Sequence, residues 1–241
     1  MSEGARHGFT LSRLAIVSAR LVAHDWAWAR ENAEAIDRNW RRRVSEKPAM
    51  FDGTVLLSPG CTIRDGACAV TFFETRFSRF LASRDLGSPD ASVFNAFSAI
   101  VPHTADGAIL LGEMAAHTAN AGQVYFPCGT PDRDDVRAGG LVDLAGSAAR
   151  ELLEETGLAL PDGAETAPWV LLRGEGQLAF LRPVRFAASA DALLTRVEAH
   201  RRQEQEPELG RLVVVRGAAD IDPARMPGFV RAYLEDALAQ R

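Results

Sequence analysis

Arg150-Glu151-Leu152-Leu153-Glu154-Glu155-Thr156-Gly157-Leu158 closes a run of good helix formers, and the pattern predicts a helix over 147–156. Gly157 suits the left-handed residue that ends such a helix. On a helix, Glu151, Glu154 and Glu155 stand at i, i+3 and i+4, so their carboxylates share one face. Three like charges on one stripe repel each other and call for a counter-charge. Arg150 supplies part of it, and a divalent cation would supply more. Magnesium suits carboxylate oxygens, water and substrate phosphates. The other side, Ala145, Ala148, Ala149, Leu152, Leu153 and Leu158, is apolar and predicts packing against a sheet.

Upstream, a short strand at 123–126 runs into Pro127-Cys128-Gly129, then a polar loop rich in Asp, Arg and Gly over 130–140. Downstream, strands at 169–172 and 177–184 flank Gly174-Glu175-Gly176. A helix at 190–202, a strand at 211–215 and a helix at 228–239 follow. The first half reads as a helix over 25–44, with Trp26, Trp28 and Trp40 packing on a core. Apolar runs at 51–57, 61–64 and 67–73 come next, with Asp65-Gly66 marking a hairpin. A helix at 75–86 and strands at 94–101 and 108–113 complete this half. Interleaved strands and helices predict an α/β or α+β class with a mixed sheet.

The run from Arg150 to Leu158 resembles the second half of the Nudix hydrolase signature without a mismatch. That signature is Gly, five residues, Glu, seven residues, then Arg-Glu-apolar-any-Glu-Glu-any-Gly-apolar. Phe126-Pro127-Cys128-Gly129 resembles the turn that opens it. The resemblance implies an α/β/α sandwich with a mixed β-sheet over 95–241. Residues 1–94 are then a helical and β-hairpin extension.

One departure stands out. Asp135 occupies the place six residues after Gly129, and the stretch before Arg150 is too long. Asp135 and Asp143 are both candidates for the first carboxylate. By resemblance, Glu154 and Glu155 are metal ligands, Glu151 is a ligand or the base, and Arg150 holds a glutamate in place. Gly129 lets the backbone pass near metal or phosphate. Glu204, Glu206 and Glu208 precede the strand at 211–215 and can add a further carboxylate, Glu208 being the nearest to that strand.

The implied activity is Mg²⁺- or Mn²⁺-dependent cleavage of a pyrophosphate bond in a nucleoside diphosphate linked to another moiety, such as a nucleotide sugar or ADP-ribose. The alternative is a Nudix-like nucleotide-binding or regulatory module without hydrolysis. The resemblance also allows a homodimer.

The totals fit this reading. The chain has 241 residues, 47% of them hydrophobic, and 27 basic against 32 acidic residues. A net charge of -5 argues against a general nucleic-acid binder, whose affinity comes from a positive field. Cys61, Cys68 and Cys128 lack the CxxC spacing of a zinc site. The apolar run at 14–17, bracketed by Arg13 and Arg20, is too short to span a membrane. The expected compartment is the cytoplasm.

Overall fold

The computed structural model describes residues 5–118, 120–164 and 167–240. Among them, six α-helices and two mixed sheets form an α+β fold. The strands are β1 (Thr10–Leu14), β2 (Ile16–Leu21), β3 (Thr54–Arg64), β4 (Ala67–Arg76), β5 (Asn95–His103), β6 (Ile109–Met114), β7 (Val124–Tyr125), β8 (Cys128–Gly129), β9 (Val136–Arg137), β10 (Leu141–Val142), β11 (Trp169–Gly174), β12 (Gln177–Arg185) and β13 (Leu209–Val215). The helices are α1 (Ala27–Glu31), α2 (Ala33–Glu46), α3 (Phe77–Asp85), α4 (Leu144–Thr156), α5 (Ala190–Arg201) and α6 (Gly228–Ala239).

The larger sheet runs β1-β11-β12-β5-β6-β13, with β12 and β5 parallel. Side chains alternate between its faces, so Phe97, Ala99 and Val101 pack on Phe229, Val230 and Tyr233 of α6. On the opposite face, the Ser98 hydroxyl donates to the Leu144 carbonyl at 2.8 Å. Ile100 there meets Ala148 and Leu152 of α4 and Leu193 of α5. Helices on both faces make the expected α/β/α sandwich. Pairing of β5 with β6 is confined to His103 and Ile109; β8 lines up along β5, and β7 along β6. The sheet therefore opens where the Gly129 turn enters.

The smaller sheet runs β3-β4-β2-β10-β9. Leu56, Val70 and Phe72 pack it on Ala96, Leu178 and Phe180 of the larger one. Its far face is covered by Trp26, Ile36 and Ala82. The tryptophans of the first helical segment thus serve packing, as expected. Asp65 (φ 49°) and Gly66 (φ 75°) make the predicted hairpin turn between β3 and β4.

Several boundaries differ from the sequence reading. The helix expected over 25–44 is two helices, broken at Asn32 (φ -111°, ψ 22°), whose side-chain amide donates to the Trp28 carbonyl at 2.8 Å. The runs at 51–57 and 61–64 are one strand, β3, whose register slips between Leu57 and Gly60. Pro59 has no N–H for the ladder, which accounts for the bulge. Residues 75 and 76 belong to β4 rather than to the helix that follows.

Strands β1 and β2 were not expected. They are half-polar, with Leu11 and Leu14 turned inward and Arg13 reaching Asp236 at 2.6 Å. β1 pairs along its length with β11, and β2 pairs in parallel with β4. The larger sheet therefore draws a strand from each side of residue 94. No helix among the described residues is long and apolar enough to cross a membrane.

Asp85 joins α2 to α3. It accepts from Arg43 Nε at 2.7 Å and Nη2 at 2.5 Å, and from the Asn39 amide at 2.9 Å. The Arg43 hydrogen bonds hold its carboxyl below the usual range, against the opposing effect of burial. A depressed folded pKa contributes stability above the unfolded value of about 3.9 and loses it as pH falls through the folded one. Asp85→Asn should cost about 1 kcal/mol at pH 7, since Arg43 is partly exposed. Thermal melts should show the gap between the two proteins closing as pH falls through the depressed folded pKa of Asp85; an equal gap at every pH would refute the ion-pair account.

Candidate active site

Helix α4 is seated by Asp143 at its N-cap, whose carboxylate accepts from Gly146 N–H at 2.8 Å. Gly157 ends it in the left-handed region (φ 67°), its N–H donating to Leu153 O at 2.8 Å. A Cβ at Gly157 would also stand 2.7 Å from the His200 ring, so glycine is required there twice over.

The three glutamates are not equivalent. Glu155 is buried, at 7% exposure, and accepts a backbone hydrogen bond from Cys128. Its Oε2 has no hydrogen-bond partner among the described residues. Burial first, then the charges of Glu151 and Glu208, push its carboxyl up to about 9. Glu151 is half-buried, and burial raises its carboxyl too, with Arg150 opposing. Glu154 is exposed. Leu153, expected on the apolar side, is 49% exposed, because the buried stripe passes through Leu152 and Glu155 instead.

Arg150 organises these acids. Its Nη1 donates to Glu151 Oε1 at 2.9 Å and to Glu154 Oε2 at 3.3 Å, while Nη2 donates to Asp135 at 3.1 and 3.2 Å. Burial works against its charge, but the three carboxylates outweigh it and hold its pKa above the ordinary value. Asp135 is itself buried and also accepts from Ser147 Oγ and Asp132 N–H, each at 3.2 Å.

The two candidates for the first carboxylate thus separate. Asp135 lies under Arg150, whereas Asp143 caps α4 and pairs with Arg137 at 3.2 Å. The extra length lies in residues 136–142, which fold as β9 and β10 about Gly139 and Gly140, both at positive φ. Asp143 N–H donates to Asp135 O at 2.8 Å, so the chain leaves and re-enters at one place. Without 136–142, seven residues (143–149) would separate Asp135 from Arg150, the spacing of the Nudix signature. Deleting 136–142 should leave turnover close to wild type and lower Tm by roughly 5–10 °C, from the loss of Val142 and Val136 in the core. Loss of activity in a folded deletion variant would mean that the hairpin belongs to the site.

Gly129 forms the floor. A Cβ there would come within 2.6 Å of the Glu151 carboxylate, so only glycine lets the β8 edge meet α4. Glu208 is exposed, and its charge reaches both Glu151 and Glu155. Its carbonyl is fixed by Ala115 N–H at 2.8 Å. Among the described residues no three His, Cys, Asp or Glu side chains are already drawn together as metal ligands. Arg150 occupies the oxygens of Glu151 and Glu154 that face it.

No family model and no curated protein matches the sequence. The solved structures that resemble it include the following two. One is a MutT protein from Methanosarcina mazei Go1, at 17% identity over 61% of this chain and 94% of that one, with a TM-score of 0.40. The other is RenU, a Nudix hydrolase from M. smegmatis, at 16% identity over 60% and 84%, with a TM-score of 0.35. Likeness of this size leaves the activity to be argued from the site.

A cavity of about 700 Å³ adjoins the carboxylates, sharing Cys128 and Gly129 with them. Its walls include Phe77, Phe80 and Arg84 of α3, which the sequence reading did not assign to the site. Of Arg76, Arg79 and Arg84, it is Arg84 that lines this cavity. Arg76 instead pairs with Asp52 at 3.2 Å, and Arg79 lies on a separate cavity. The aromatic spacing Phe77 to Phe80 on one helix face was the available signal.

Proposed function

We propose that the chain is a Nudix-type, divalent-metal-dependent hydrolase of a pyrophosphate bond in a nucleoside diphosphate linked to a second moiety. The observation that carries this is Glu155: a buried carboxylate with one oxygen unpartnered among the described residues, crowded by Glu151 and Glu208 beside a glycine edge. Burying a carboxylate among like charges is costly unless a cation offsets it. Carboxylate oxygens suit magnesium or manganese. Glu154 and Glu155 would hold the cation, with Glu151 and Glu208 as the neighbouring acids. Bound there, it would offset the charge of the anhydride and acidify an attacking water.

The remaining work falls to the chain's own groups. Arg150 fixes Glu151 over Gly129 at 2.9 Å, so that Glu151 either joins the ligands or takes a proton from the water. Asp135 anchors Arg150 and is a positioning residue. Gly129 leaves the approach to Glu151 free of side chain.

Incubating the purified chain with nucleotide sugars, ADP-ribose and dinucleoside diphosphates, with and without Mg²⁺ or Mn²⁺, tests the reading. Cation-dependent release of a nucleoside monophosphate is the expected result. Nucleotide binding without turnover of any of them would favour the binding module instead. The resemblance also extends the proposal to a cytoplasmic homodimer, for which light scattering of the purified chain is the check on subunit number.

A further inference from the structure

The hairpin of the smaller sheet carries two of the three cysteines. Asp65 and Gly66 close it, so Arg64 faces Ala67, and behind them Ile63 faces Cys68, Thr62 faces Ala69 and Cys61 faces Val70. Antiparallel pairs alternate between hydrogen-bonded and non-hydrogen-bonded, and the pair flanking a two-residue turn is of the first kind. Cys61 and Cys68 thus both stand at non-hydrogen-bonded positions of one sheet face, where side chains approach more closely. They lie on a diagonal of that face, and the right-handed twist of the ribbon draws one diagonal together. Here it is this one. The Cys68 thiol donates a hydrogen bond to the Cys61 sulfur.

The two sulfurs differ in their surroundings. Cys68 is 1% exposed, in one cluster with Leu14, Val70 and Leu171, while Cys61 is half-buried at the rim of that cluster. The hydrogen bond from Cys68 lowers the Cys61 thiol against the effect of burial, and the charge of Arg173 lowers it further. The Arg173 guanidinium itself lies 5.1 Å from the Phe94 centroid. The same hydrogen bond, together with burial, pushes the Cys68 thiol up. One sulfur is therefore a solvent-reachable nucleophile, and the other is a protonated thiol held behind it.

We infer that Cys61 and Cys68 are a redox-active dithiol that a peroxide converts reversibly to a disulfide, Cys61 attacking and Cys68 resolving. The Cys61 thiolate attacks one peroxide oxygen and the O–O bond breaks. The other oxygen leaves and takes up a proton as water or an alcohol, and Cys61 becomes a sulfenic acid. The Cys68 sulfur then attacks the Cys61 sulfur. The S–O bond breaks, and the hydroxyl departs with the Cys68 proton as water. Two electrons pass from the thiols to the peroxide, and exchange with an external dithiol reverses the change. In a reducing compartment such a bond is transient, which suits a sensor rather than a staple. The pair lies on the hairpin of β3 and β4, whereas the three glutamates lie on α4, so the inference stands apart from the hydrolase reading.

The test treats the full chain with about one equivalent of hydrogen peroxide at neutral pH, alkylates the remaining thiols in urea with iodoacetamide, and digests with trypsin without reductant. Trypsin cuts after Arg64, between the two cysteines, so the disulfide joins residues 44–64 to residues 65–76 in one species that a dithiol reductant separates. That linked species should be the main product, with Cys128 recovered alkylated. Cys68→Ser should stop at a sulfenic acid on Cys61, trapped by dimedone, and Cys61→Ser should leave Cys68 unoxidised. In the untreated folded chain, iodoacetamide should modify Cys61 at least about tenfold faster than Cys128, because the thiolate is the reactive form. Cys61 and Cys68 both recovered as thiols, Cys128 oxidised ahead of them, or two chains joined instead would overturn the inference. So would a linked species formed equally well from peroxide-treated chain in urea, since nearness in sequence rather than the fold would then be bringing the sulfurs together.

Discussion

Glu155→Gln should slow turnover by at least about 10³-fold, the scale of several kcal/mol of lost charge stabilisation, while the protein stays folded. Glutamine keeps the size of the side chain and its acceptor for the Cys128 N–H, but carries no charge to hold a cation. Metal-free, the variant should melt at the wild-type temperature or above it, because a neutral amide removes a carboxyl crowded by Glu151 and Glu208. With Mn²⁺ at a hundredfold over its dissociation constant, the wild type should gain about 2.7 kcal/mol from ligand linkage, and the variant almost nothing. Calorimetry with and without Mn²⁺ therefore separates a metal ligand from a merely buried acid. Full activity, or an undiminished Mn²⁺ shift, would remove Glu155 from the mechanism.

Arg150→Ala carries the second large effect, and here the loss is in stability as well as in rate. The guanidinium bridges buried Asp135 to Glu151 and Glu154, so its removal leaves one buried carboxylate and two neighbours without their cation. Breaking a buried ion pair costs roughly 3–5 kcal/mol; because Arg150 is 39% exposed, about 2–3 is the better figure here. That corresponds to a Tm fall of roughly 5–10 °C for a chain of this size. Asp135→Asn should cost less, since the amide still accepts from Ser147 and Asp132. Adding Asp135→Asn to Arg150→Ala should recover part of the loss, as the stranded charge disappears. Strictly additive losses in that double-mutant cycle would contradict the coupling.

Helical spacing made much of the helix legible before any coordinates. Three glutamates at i, i+3 and i+4, an arginine and a terminal glycine are local facts, and α4 with its Gly157 cap follows from them. The hairpin at Asp65-Gly66 was equally local, because positive φ at two adjacent positions depends on the residues themselves. Strands β1 and β2 were not legible: half-polar strands take their stability from β11 and β4, partners distant in sequence.

The sequence by itself determined which acids share a helix and that a glycine turn precedes them. Only the tertiary structure decided that Glu155 is buried while Glu154 is exposed, that Asp135 rather than Asp143 lies under Arg150, and that α3 walls the cavity. The reason is one of range. Periodicity specifies which side chains leave a helix together, but burial and charge depend on what another part of the chain sets against them. Here that is the β8 edge at Gly129, a hairpin closed between Asp135 and Asp143, and a helix some seventy residues upstream.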